Sequence, residues 1–75
     1  MKVISTTDLS CHGNDCYIYK SVSLVETFGM YAVIIAEKTV GWFENKEIYA
    51  VSETPCSIWS TAVEIYKYYG GIMEE

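Results

Sequence analysis

A single glycine, Gly29, divides the middle of this chain into two strand-like segments, and those segments limit the possible folds more than any other feature. Residues 17–27 (Tyr-Ile-Tyr-Lys-Ser-Val-Ser-Leu-Val-Glu-Thr) are rich in β-branched and aromatic side chains. From Ile18 to Leu24 they largely alternate, with Ile18, Val22 and Leu24 opposite Tyr19, Ser21 and Ser23. That is the pattern of a strand whose even positions face a core. Met30 to Ala36 is a nearly continuous apolar run ended by Glu37 and Lys38, so residues 30–37 suit a central strand, buried on both faces or covered by a helix on one.

Three further segments are less constrained. Lys2 to Thr7 reads as an edge strand with Val3 and Ser5 on one face and Ile4 and Thr6 on the other. Residues 8–15 are dense in turn formers and read as a loop. The polar quartet Glu44-Asn45-Lys46-Glu47 is a turn candidate ahead of a strand over residues 47–52, and Val40 to Phe43 is either part of a hairpin or a loop.

The last segment carries helix signals at both ends. Thr54-Pro55 offers an N-cap hydroxyl followed by proline at the first helical position, and Gly70-Gly71 offers the left-handed residue wanted after a helix. Between them, Ile58, Trp59, Ala62, Val63, Ile65, Tyr66 and Tyr69 fall on one arc of a helical wheel, opposite Ser57, Ser60, Thr61, Glu64 and Lys67. These features predict an amphipathic helix over residues 55–69. Strands followed by one helix give an α+β domain over residues 1–75: a small antiparallel sheet of three to four strands covered on one face by the C-terminal helix. Thr27 to Tyr69 resembles small three-strand-plus-helix families of Gram-positive bacteria around Phe28-Gly29-Met30-Tyr31 and Ser52-Glu53-Thr54, a resemblance that implies fold and no activity.

Composition enters through the core and the charge. A chain of 75 residues folds to a thin core, exposing about 4,700 Å² by mass scaling. Stability then depends on large side chains, and the sequence is 51% hydrophobic and 15% aromatic. Ten acidic residues face five lysines with no arginine, a net charge of -5. Nucleic-acid affinity rests on clustered cations, so direct DNA or RNA binding is disfavoured, as is attraction to anionic membranes. An acidic surface favours a basic protein partner. No secretory signal or membrane span is evident, so a cytoplasmic location is expected.

The candidate chemistry is sparse. Cys11, His12, Cys16 and Cys56 make a formal three-Cys, one-His set for tetrahedral zinc, and Cys56 falls in the first turn of the expected helix, where the macrodipole favours a thiolate. These residues define the alternative expectation, a small zinc- or thiol-dependent regulator. Glycine-rich phosphate loops and paired carboxylates are lacking from the sequence, so neither an enzyme nor a cofactor is expected.

The aromatic residues point elsewhere. Tyr68 falls on the polar arc of the helix, and adjacent Trp42 and Phe43 cannot both face one core. With Glu44, Glu47 and Glu64 supplying charge alongside Glu37 and Glu53, these three aromatics form the expected partner-binding set. In size, acidity and lack of catalytic residues the chain resembles small phage-encoded inhibitors of the anti-CRISPR type. That resemblance implies a non-enzymatic inhibitor occupying a basic, nucleic-acid-binding surface of its target. A homo-oligomeric accessory subunit, such as a homodimer, is a further expectation, because surplus apolar surface can serve self-association.

Overall fold

The computed structural model describes residues 1–41 and 47–73. It contains the strands β1 (Lys2–Asp8), β2 (Cys11–His12), β3 (Cys16–Thr27), β4 (Met30–Gly41) and β5 (Glu47–Cys56), then one helix, α1 (Trp59–Tyr68). The sheet is antiparallel throughout in the order β1-β3-β4-β5, with β2 a two-residue addition pairing with β3. The expected α+β arrangement is what the chain adopts, and the apolar run from Met30 lies in a central strand.

β3 and β4 form the spine, paired from Thr27↔Met30 to Cys16↔Gly41 without a register shift. Their connection is a two-residue turn in which Phe28 and Gly29 both take positive φ, 52° and 78°. Two positive values in succession define a type I′ turn, whose twist matches that of the strands it joins.

The helix packs on the face presented by Val22, Leu24, Val33 and Ile35. Even positions of β3 do face the core, and Val22 and Leu24 are fully buried there with Ala62 and Tyr66. Each large side chain of this cluster contributes roughly 1.5–3 kcal/mol of burial. The Tyr66 hydroxyl is held by Thr7 Oγ1 at 2.6 Å and Ser5 Oγ at 3.0 Å, which ties the helix to β1. The helix ends in a Schellman motif: Gly70 at φ +96° donates its N–H to the Lys67 carbonyl, and Gly71 donates to that of Tyr66.

Four expectations need correction. β5 continues through Pro55 to Cys56, so Thr54-Pro55 is strand and not a helix cap; the N-cap is Ile58, with no side-chain cap bond. Ten regular rungs with β4 outweigh the local N-cap signal, and an edge strand tolerates proline when its missing N–H faces outward. Ile58 and Trp59 consequently fall at the N-cap and the first position of the helix, 59% and 42% exposed, although Trp59 still meets the Tyr31 ring edge-on at 5.2 Å. In β1 a register shift between Val3 and Ser5 puts those two residues on opposite faces, with Ile4 as the extra residue. Within residues 8–15, Cys11 and His12 pair with Ile18 and Tyr17.

Candidate functional site

A single ten-residue helix spans about 15 Å, whereas the twelve-residue strands of the spine span about 40 Å. Helix and sheet together make a thin slab of 44 × 22 × 16 Å. One whole face of the sheet is therefore left uncovered among the described residues. The odd positions of β3 and β5 and the even positions of β4 line it. Its apolar half is a shallow depression of about 570 Å³ formed by Val25, Ala32, Ile34, Met30 and Pro55, with Met1 and Phe28 at its rim and Glu53 beside it.

This apolar strip is built into the sheet. Val25 is only 2% exposed although it lies outside the cluster packed against the helix. Ala32 beside it is buried as well, so the two form the floor of the depression. Phe28 stands fully exposed at the hairpin tip, in a left-handed conformation that a bulky residue adopts only at a cost. A glycine, asparagine or aspartate is the usual occupant there. Strain of this kind, with no packing in return, is a feature of functional positions.

The other half of the face is aromatic and charged. Tyr19, Lys38 and Tyr49 lie in one cross-strand row, since Tyr19 pairs with Lys38 and Lys38 with Tyr49. The Lys38 ammonium lies 5.5 Å from the Tyr49 ring centre and 3.5 Å from a Glu47 carboxylate oxygen. The Tyr49 hydroxyl donates to Glu47 at 2.5 Å. That hydrogen bond, followed by the Lys38 charge, pulls the Glu47 carboxyl below its ordinary range, and the Glu47 charge raises Lys38. At the opposite edge, the Asp8 carboxylate accepts the Ser10 hydroxyl at 2.6 Å and the Ser10 amide at 2.9 Å, which lowers its pKa.

The expected binding residues are dispersed. Glu47 belongs to the uncovered face. Glu64 and Tyr68 lie together, one turn apart, on the exposed outer side of the helix, with Tyr68 83% exposed. Glu47 and the Glu64–Tyr68 pair thus belong to opposite sides of the slab. Trp42, Phe43 and Glu44 lie outside the described residues. Phe28 and Ile34 of the depression and Tyr49 of the aromatic row were not among the expected residues. The sequence signal for them was the continuity of Met30 to Ala36: with one helix available, the second face of that run has no cover.

The four-residue zinc set fails on distance. Cys16 pairs opposite Gly41 at one end of β4, whereas Cys56 pairs opposite Tyr31 at the other. Ten residues of strand, about 34 Å, separate those rungs. Cys11, His12, Cys16 and Cys56 therefore cannot share an ion, and no cluster of three metal-ligating side chains occurs among the described residues. Cys56 is in β5 and not in the helix; its thiol points to the Ile58 carbonyl at 3.4 Å and packs beside the core. The helix dipole thus has no thiol in its first turn to act on. His12 stacks edge-on with Tyr17 at 4.4 Å between ring centres, far from Cys56.

Comparison of the chain with protein-family models, curated proteins and solved structures returns no match. No helix among the described residues is long and apolar enough to cross a membrane.

Proposed function

We propose that this chain is a non-enzymatic protein-binding module that docks the helix-free face of its sheet onto a basic partner surface, as a small acidic inhibitor does. The observation that carries this reading is the pairing of an apolar depression with a strained, fully exposed Phe28 at its rim. Apolar floor and projecting aromatic are the ingredients of an interface hot spot. Charge selects the partner. Ten acids against five lysines repel nucleic acid and attract a basic surface, and Glu53 borders the depression. A standard interface takes about 800 Å² from each partner, which a sheet face of this size supplies. A target whose basic surface normally holds nucleic acid fits that chemistry, and occupying it would block the nucleic acid.

The test selects binders from a displayed library of lysine- and arginine-rich peptides containing apolar residues, then measures affinity against salt for four proteins. Wild type is expected to bind more weakly as salt rises, Ile34→Arg and Glu53→Lys to lose at least about tenfold, and Tyr68→Ser to bind normally. Binding that is indifferent to salt and survives Ile34→Arg but not Tyr68→Ser refutes the proposal and moves the site to the helix.

A further inference from the structure

The outer edge of β5 has no strand beside it among the described residues, and its chemistry matches that of a second copy of itself. Hydrogen-bond alternation fixes which backbone groups point outward. Thr27 and Met30 flank a two-residue turn and so form a hydrogen-bonded pair, which commits the even positions of β4 to β3. The odd positions of β4 then bond to β5, where their partners are the even residues Ile48, Ala50, Ser52, Thr54 and Cys56. The N–H and C=O groups of Glu47, Tyr49, Val51 and Glu53 are left facing outward. Pro55 falls in the same outward series, where its lack of an N–H costs β4 nothing, an independent check on the assignment.

We propose that β5 pairs antiparallel with β5 of a second copy across a two-fold axis at Val51, fusing the two sheets into one. Proteins normally blunt a long edge strand with charge or proline; Glu47, Glu53 and Pro55 do so near the ends of β5, but the stretch from Ile48 to Ser52 carries neither, and Val51 is 74% exposed. The register follows from charge together with the number of outward backbone groups that it pairs. With Val51 opposite Val51 of the second copy, Tyr49 meets Glu53, Ile48 meets Thr54, Ala50 meets Ser52 and Glu47 meets Pro55. All of residues 47–55 are paired and no like charges oppose. Centring on Ala50 instead sets Glu47 against Glu53, and centring on Glu53 sets it against itself, both of which destabilise; centring on Ser52 opposes no like charges but sets Glu47 against Ser57, beyond the end of β5, and so pairs fewer of the outward groups.

The chosen register also brings Glu53 beside a row that already holds a cation, because Lys38 pairs with Tyr49 in each copy. A nine-residue ladder is about 30 Å long and gives an interface at the small end of the stable range, roughly 1,000 Å² in total, so the dimer is concentration-dependent. The helices of the two copies lie on one side, and the two uncovered faces join on the other.

Sedimentation equilibrium from about 10 µM to 1 mM tests this on the intact chain, with Val51→Lys and Ile34→Lys compared. The expected result is a monomer–dimer equilibrium in wild type and Ile34→Lys, and a dissociation constant raised at least about tenfold by Val51→Lys, which opposes two lysines at the axis. Wild-type amide exchange supplies a readout that needs no variant. The amides of Tyr49, Val51 and Glu53 slow as concentration rises, while those of Ala50 and Ser52 stay protected throughout. A wild type that remains monomeric, or a dimer broken by Ile34→Lys and kept by Val51→Lys, overturns the proposal. Neither result bears on peptide binding by the uncovered face, which Ile34→Arg reports separately.

Discussion

Replacing Gly71 by alanine probes the contact that holds the helix to one face and leaves the other open. An added methyl carbon would lie 2.6 Å from Cε2 and Cζ of Tyr66 and 2.7 Å from Cδ1, inside any tolerable carbon–carbon contact. The ring cannot yield, because Tyr66 is completely buried and its hydroxyl is held by Thr7 and Ser5. Gly71 does not have a positive φ, so its substitution costs through overlap and not through backbone strain. Overpacking of this kind costs about 1–3 kcal/mol, and three overlapped ring atoms place it near the upper figure. A 75-residue domain has about 4–11 kcal/mol in all. With a urea m value of about 1 kcal/mol/M for so small a chain, the unfolding midpoint should fall by roughly 2–3 M at unchanged m. In a Tyr66→Leu background the overlap is removed and Gly71→Ala should cost far less, so the two substitutions are strongly non-additive. A Gly71→Ala protein within about 0.5 kcal/mol of wild type, or an equal cost in both backgrounds, refutes this reasoning.

Three other outcomes follow from the same structure. Phe28→Asn relieves a left-handed phenylalanine that packs on nothing, so it should raise stability by about 1 kcal/mol in thermal unfolding while weakening peptide binding; a fall in stability contradicts the strain assignment. The Asp8 and Glu47 carboxyls are both depressed, so the stability they contribute is fully present above their unfolded values of 3.8 and 4.5 and is lost as pH falls through their lower folded values. Urea midpoints should accordingly be flat from pH 8 to about 5 and drop below about 4, with Glu47→Gln showing a smaller drop. Chelation with EDTA should leave the melting temperature unchanged, since Cys16 and Cys56 pair at opposite ends of β4; a fall would restore the metal reading.

Much of the architecture is legible in local signals. The alternation in β3, the turn at Gly29 and the Gly70-Gly71 stop each rest on one short-range rule, and each is realised. Thr54-Pro55 misled because cap preference is local, whereas ten rungs of pairing with β4 are not. The bulge in β1 has no sequence mark, and it moves Ser5 to the helix side where it meets Tyr66. The uncovered face was not legible in the sequence for a related reason. Tyr68 was found because a helical wheel reports exposure directly, but which face of a sheet stays bare depends on where its one helix lies. Ile34, Tyr49 and Val51 acquire meaning only after α1 is placed over Val33 and Leu24.

Adjacent residues on the same strands give the most direct test of the central claim. Leu24 and Val33 face the helix, whereas Val25 and Ile34, one position along each strand, face the uncovered side. Methyl NMR spectra recorded while a selected basic peptide is titrated should therefore show large shifts at Val25 and Ile34 and almost none at Leu24 and Val33. Shifts confined to the helix, with Val25 and Ile34 silent, would contradict the account.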